Sequence, residues 1–188
     1  MNCRSSINLR EKRFCPYCGR RGEDIYRQGR KRLYCGYCKE ILYENPLPAV
    51  AALVEEEDNK LLMVKRSVEP AQGKWALPGG FIETDEELEE AASRELKEET
   101  GLKGRVKELV GVSYQLSQFW GKSIIVIGYW IETFDGVLKP GDDASDVKYF
   151  DINDLPPIPF SSHERLIEEF KRMKRPSRQN EKLQKKLG

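Results

Sequence analysis

The stretch from Thr84 to Gly101 constrains this chain most, because it reads as a helix whose inward stripe is partly carboxylate. Thr84 is the expected N-cap, Glu87 three residues on completes a capping box, and Gly101 suits the C-cap. With Leu88 as reference and steps of about 100° per residue, Ala91 and Ala92 fall within about 60° of it and define the inward stripe. Glu95 and Glu99 fall within about 20° of Leu88, in the middle of that stripe. Glu98 sits at its edge, while Glu86, Glu90 and Lys97 point the other way. A glutamate-rich helix is ordinarily a solvated face, and that suits Glu86 and Glu90. It does not suit Glu95 and Glu99, since carboxylates packed together away from water are costly unless a cation compensates. Arg94 alone is too little. A hard divalent ion held by oxygen, Mg²⁺ or Mn²⁺, would suffice.

Ahead of the helix, Pro78-Gly79-Gly80 permits a backbone path closed to residues with a Cβ and exposes N–H and carbonyl groups beside the carboxylates. Together these residues resemble a known family. Gly80-x5-Glu86-x7-Arg94-Glu95-Leu96-x-Glu98-Glu99-x-Gly101-Leu102 matches every fixed position of the Nudix box. The resemblance implies an α/β/α sandwich with a mixed sheet over roughly residues 46–170. It implies hydrolysis of a nucleoside diphosphate linked to a group X, by water attack at phosphorus. It further implies that Glu95, Glu98 and Glu99 bind Mg²⁺, with Glu86 and the Gly80 carbonyl nearby and Arg94 orienting the carboxylates. Divalent ions would neutralise the anionic pyrophosphate and acidify a water, and a carboxylate would take the proton. Glu98 or Glu99 is the favoured base. In some members of the family the base comes from a later loop, and Asp142, Asp143 or Asp146 could serve here, although an acidic surface turn explains them equally well.

Cys15-Pro16-Tyr17-Cys18 and Cys35-Gly36-Tyr37-Cys38 are two CxxC knuckles. Their spacing reads as a zinc ribbon with four thiolates in a closed tetrahedral site, ahead of redox or iron–sulfur alternatives. A module of about thirty residues cannot sustain itself by core burial, so Zn²⁺ would be structural. Cys3 is left over. Arg27, Arg30, Lys31 and Arg32 with Tyr34 would suit nucleic acid, but a solubilising loop is favoured.

A ribbon ahead of a Nudix box resembles a narrower subgroup, the NADH pyrophosphatases and related enzymes acting on FAD or ADP-ribose. The resemblance covers about residues 14–172, including Asn45-Pro46 and Pro159-Phe160-Ser161-Ser162-His163. Ser117–Ser123 echoes the NADH pyrophosphatase signature but lacks its three prolines, which points away from reduced nicotinamide. Tyr114, Phe119 and Trp120 could stack a base, or serve as strand-end core. Asp143 joins them as a candidate substrate contact. His163 is the single histidine, so Ser-His-Asp triads and histidine zinc ligands are excluded. Packing or capping is its plain role; in the narrower subgroup a histidine here faces the substrate.

Strands are expected at Ala49–Glu55, Lys60–Lys65, Val106–Tyr114, Lys122–Thr133 and Asp146–Ile152, with a second capping box at Ser161–Glu164 opening a helix to about Met173. The fold class is α/β, a Nudix α/β/α sandwich with mixed sheet preceded by a small zinc ribbon. Residues 1–13 read as a polar lead, 14–44 as the ribbon, 45–173 as the Nudix domain and 174–188 as a frayed or disordered basic tail. Charge divides the same way: 11 basic and 5 acidic residues in 1–44, 13 and 25 in 45–170, 8 and 1 in 171–188. No apolar run approaches a membrane span and no leader is evident, so a cytoplasmic protein is expected.

The expected activity is Mg²⁺- or Mn²⁺-dependent cleavage of FAD, ADP-ribose or NAD(H) to AMP and a phosphorylated second half. Rivals are hydrolysis of nucleoside triphosphates or capped RNA, and a nucleotide-sensing regulator that binds nucleic acid. A nucleotide or dinucleotide is the expected partner; a homodimer is admitted as an option, nucleic acid is not favoured, and no membrane is expected.

Overall fold

The run Ala49–Val54 is buried without interruption, which a strand achieves only when both faces are covered. The computed structural model, which describes residues 12–56 and 59–174, shows what covers them. In chain order the elements are β1 (Glu23–Arg27), β2 (Arg30–Cys35), β3 (Glu40–Leu42), β4 (Leu47–Glu56), β5 (Lys60–Arg66), β6 (Trp75–Ala76), α1 (Leu88–Thr100), β7 (Leu102–Ser117), β8 (Lys122–Gly136), β9 (Ala144–Asp151) and α2 (Ser161–Lys174). They form two compact units. The first holds the described residues up to Leu47 together with Leu116–Ser123; the second holds Pro48–Gln115 and the chain from Ile124 onward.

In the first unit β1, β2 and β3 make an antiparallel sheet in that order. Gln28 and Gly29 join β1 to β2 with φ of 53° and 71°, the backbone a two-residue hairpin turn demands. Its core is Cys15, Cys35 and Leu42, with Cys18, Leu33 and Cys38 packed against them. So small an apolar core cannot hold the module alone.

In the second unit the sheet order is β6-β5-β4-β8-β7, and β9 runs along β5 for that strand's whole length. Val50, Ala52 and Val54 of β4 and Tyr129 and Ile131 of β8 share a cluster with Ala91, Ala92 and Leu96 of α1. The alternate residues of β8 serve the other helix. Trp130 meets Phe170 of α2 edge to face at 5.3 Å, and a Cβ on Gly128 would lie 2.7 Å from Leu166. Successive residues of one strand thus feed opposite layers, the period-two signature of a sheet between helices. This is the expected α/β/α sandwich. Among the described residues no helix is long and apolar enough to cross a membrane.

Several boundaries differ from expectation. α1 starts at Leu88, capped by Glu87; the Glu87 carboxylate accepts the backbone N–H of Glu90, and the Glu90 carboxylate accepts that of Glu87. Thr84 is therefore not the cap, and Leu88 is 39% exposed rather than inward. β7 starts earlier than expected, at Leu102, which packs in the α1 cluster, and ends at Ser117, while β8 runs past Thr133 to Gly136, where backbone pairing continues after the side chains become exposed. α2 begins with the Phe160 carbonyl accepting from the N–H groups of His163 and Glu164, one residue before the expected Ser161 cap. The tail from 175, most of the polar lead and Cys3 lie outside the described residues.

Candidate active site

The segment Pro78–Ile82 is stitched to β4, with Val50 N–H donating to Gly80 O, Ala52 N–H to Pro78 O and Ile82 N–H to Pro48 O. This close docking explains both glycines. A Cβ on Gly79 would lie 2.2 Å from the Val50 carbonyl, and one on Gly80 would lie 2.4 Å from Glu95 Oε1. The turn therefore brings backbone directly against the carboxylates of α1. Gly79 N–H donates to Glu99 Oε2 at 2.9 Å. The Gly80 carbonyl already accepts one bond from β4, leaving its second lone pair for another partner.

Glu95 and Glu99 are 9% and 4% exposed, as their place on the inward stripe requires. Burial raises both carboxyls above the ordinary range, Glu99 to about 8, against the opposing pull of Gly79 N–H. Glu98 is exposed at the edge of the stripe. Arg94 organises the cluster through five bonds: Nε and Nη2 to the two oxygens of Glu86, Nη1 to Glu95 and Glu98, and Nη2 to Phe81 O. Glu86 does not point away, because it precedes the helix; the turn folds it back onto Arg94 and onto Glu83 N–H. The bidentate guanidinium bond holds its carboxyl down at about 2.

The loop after β8 closes the far end of the helix. Lys139 N–H bonds Thr100 O and Gly141 N–H bonds Glu99 O, while the charges of Asp142 and Asp143 push up Glu95 and Glu99 respectively. Asp146 lies in β9 opposite Lys65, its carboxylate spent on Val147 N–H. Arg66, at the end of β5, was not singled out by sequence. Its charge lowers Glu99, its Nε donates to Pro70 O, and its guanidinium lies 5.5 Å from the Phe160 ring. A basic residue closing an apolar strand was the available signal.

His163 is buried, and its Nδ1 accepts the N–H of Leu77 at 3.2 Å. Burial holds its pKa down near 3, so it is a neutral brace for the strand that leads into Pro78-Gly79-Gly80. Tyr114 is half-exposed on β7, with its carbonyl accepting from Arg165. Phe119 and Trp120 pack edge to face at 5.0 Å at the tip of the β7–β8 hairpin, in the first unit.

In the first unit the four sulfurs of Cys15, Cys18, Cys35 and Cys38 all lie within 4.8 Å of one another. None is in a disulfide. Cys38 N–H lowers the Cys35 thiol to about 7, whereas the Cys18 thiol is foremost among the neighbours that push Cys38 up. Four thiols this close cannot all ionise without a cation, and such a donor set matches tetrahedral zinc. Among the described residues this is the one group of three or more such side chains with donors gathered this closely. The carboxylates of α1 are instead drawn apart onto Arg94 and Gly79.

The NUDIX domain family model matches residues 45–170. An ADP-ribose pyrophosphatase of Methanocaldococcus jannaschii is 44% identical over 136 residues, 72% of this chain and 79% of that protein. The NAD-capped RNA hydrolase NudC of Vibrio atlanticus is 31% identical over 78% of this chain, which spans only 52% of that relative's length. A NUDIX hydrolase crystal structure from Nitrosomonas europaea superposes with a TM-score of 0.74 at 30% identity, covering 87% of this chain and 92% of that one. With the domain model matching most of the chain and the glutamate helix standing where that domain's box requires it, this protein belongs to the Nudix family.

Proposed function

We propose that this chain hydrolyses the pyrophosphate bond of ADP-ribose or a closely related adenine dinucleotide, giving AMP and a phosphorylated second product. One observation carries this: Glu95 and Glu99 are buried against the Pro78–Gly80 backbone while the one arginine in their cluster is shared with Glu86 and Glu98. That donor set, all oxygen and short of positive charge, fits Mg²⁺ or Mn²⁺. Glu95, Glu98, Glu99 and the Gly80 carbonyl would hold the ion, and Glu86 would fix Arg94. When bound, a divalent cation neutralises the diphosphate and acidifies water.

The chain's own groups supply the rest. Arg94 keeps three carboxylates in register, and Gly79 N–H fixes one oxygen of Glu99. Burial lifts the Glu99 carboxyl to about 8 in the ion-free protein, so a bound cation is what would keep it ionised as a proton acceptor, and the charges of Asp142 and Asp143 push Glu95 and Glu99 the same way as burial does. In this reading residues 45–173 form the catalytic domain, and residues 14–44 a ribbon folded around Zn²⁺.

ADP-ribose leads because the relative with 44% identity carries that name, whereas the NADH pyrophosphatase prolines are missing between Ser117 and Ser123. The test is a panel of ADP-ribose, FAD, NADH, diadenosine polyphosphates and nucleoside triphosphates with Mg²⁺ or Mn²⁺, products resolved by chromatography. AMP and ribose 5-phosphate from ADP-ribose are expected. Release of orthophosphate or pyrophosphate from triphosphates, with the dinucleotides untouched, would sink the assignment.

A further inference from the structure

The register of the small sheet sorts its side chains into two faces. Leu33, Cys35 and Leu42 alternate onto the face of the cysteine core, and Tyr26, Asp24 and Lys31 continue that face outward. Lys31 is spent there in an ion pair with Asp24 at 2.9 Å. The opposite face receives Arg27, Arg30, Arg32, Tyr34 and, one step beyond β3, Tyr43, around the half-buried Ile25 and Ile41. Glu23 is the one acidic residue that the strand register puts on it.

Two features of this face are unfavourable for a sheet that only needs to fold. Arg27 and Arg30 stand directly opposite each other, and like charges in a cross-strand pair repel. Neither has a salt bridge among the described residues. Arg32 lies over the Tyr43 ring at 5.0 Å, holding a flat cation against an exposed aromatic rather than against a carboxylate. Repelling arginines beside tyrosine rings match a polymer that alternates phosphates with flat bases.

We propose that this face, Arg27, Arg30, Arg32, Tyr34 and Tyr43, binds single-stranded nucleic acid, the arginines taking phosphates and the tyrosines stacking bases. The proposal does not rest on the reaction assigned to the glutamate cluster. It contains no residue of the Nudix box.

The test is fluorescence anisotropy of the full-length protein with a 5′-labelled oligouridylate of about twelve nucleotides, a size within the span one small β module covers. Wild type should bind, with log K falling against log salt by about 0.7 per phosphate contacted. Replacing Arg27, Arg30 and Arg32 together by Gln should reduce that slope by about 2 and weaken binding at least tenfold at low salt. Tyr43→Ala should weaken binding about five- to tenfold with the slope unchanged, because stacking is not ionic. Circular dichroism and thermal melts of each variant show whether the fold is kept, and Lys31→Gln, on the other face, should bind like wild type. No binding by wild type at low salt would overturn the proposal. So would full binding by the folded triple variant, or a polyglutamate peptide binding as well as the RNA with Tyr43→Ala neutral.

Discussion

Arg94 is one side chain with five bonds, and its fork shape matters more than its charge. A lysine could reach one carboxylate but could not hold Glu86 with two parallel bonds while serving Glu95 and Glu98. Arg94→Lys should therefore lose at least tenfold in kcat with its thermal midpoint nearly kept, measured on ADP-ribose with saturating Mg²⁺. His163 makes the opposite kind of prediction, about stability. Its folded pKa lies near 3, below the 6.5 of a free imidazole, so the unfolded chain takes the proton first. The stability it contributes is complete above pH 6.5 and is lost as pH falls toward 3, at up to about 1.4 kcal/mol per pH unit. His163→Asn, which keeps an acceptor for Leu77 N–H, should flatten the loss between pH 6.5 and 5 in denaturant titrations. An unchanged pH slope would remove His163 from that role.

At the scale of elements, the inward placing of Glu95 and Glu99 on α1 was legible from spacing alone. The start of the helix was not, because Thr84-x-x-Glu87 matches the capping pattern whereas the box that forms uses Glu87, not a usual N-cap residue, with Glu90. That three-residue difference removed Glu86 from the helix, so its angle on the helical wheel carried no meaning. Arg66 and the loop that places Asp142 and Asp143 near α1 were hidden for a different reason: they depend on contacts between segments far apart in sequence. The buried pair also gives α1 a distinctive pH response. Glu99 stays protonated to about pH 8 when folded but ionises near 4.5 when unfolded. Without divalent ion, stability should fall as pH rises from about 4.5 to 8. Mg²⁺ should raise the thermal midpoint more at pH 8 than at pH 6; an equal shift at both would place the ion elsewhere.

At the scale of the whole molecule, the near-neutral charge sum hides an acidic NUDIX region, with 13 basic and 25 acidic residues over 45–170, and a basic N-terminal region, with 11 and 5 over 1–44. The two units hold their structures by different means: a sheet buried between helices in one, four thiols and two leucines in the other. A strong zinc chelator should accordingly unfold the ribbon, seen by loss of its amide protection in hydrogen exchange, while residues in β4, β5 and β8 stay protected. Loss of protection in both units together would show that they fold as one. The sequence made the cysteine site plain by spacing, yet left the ribbon's arginines as an undivided basic run. Only strand register separates Lys31 from Arg27, Arg30 and Arg32.

If Glu99 serves the reacting pyrophosphate rather than merely filling space beneath α1, removing its charge must cost turnover. Glu99→Gln keeps the shape and the bond from Gly79 N–H but removes the charge and the proton acceptor. Steady-state hydrolysis of ADP-ribose with saturating Mg²⁺ tests it most directly. A fall in kcat of about a hundredfold or more, with the protein as stable as wild type or more so, is predicted. Turnover within about threefold of wild type would contradict it.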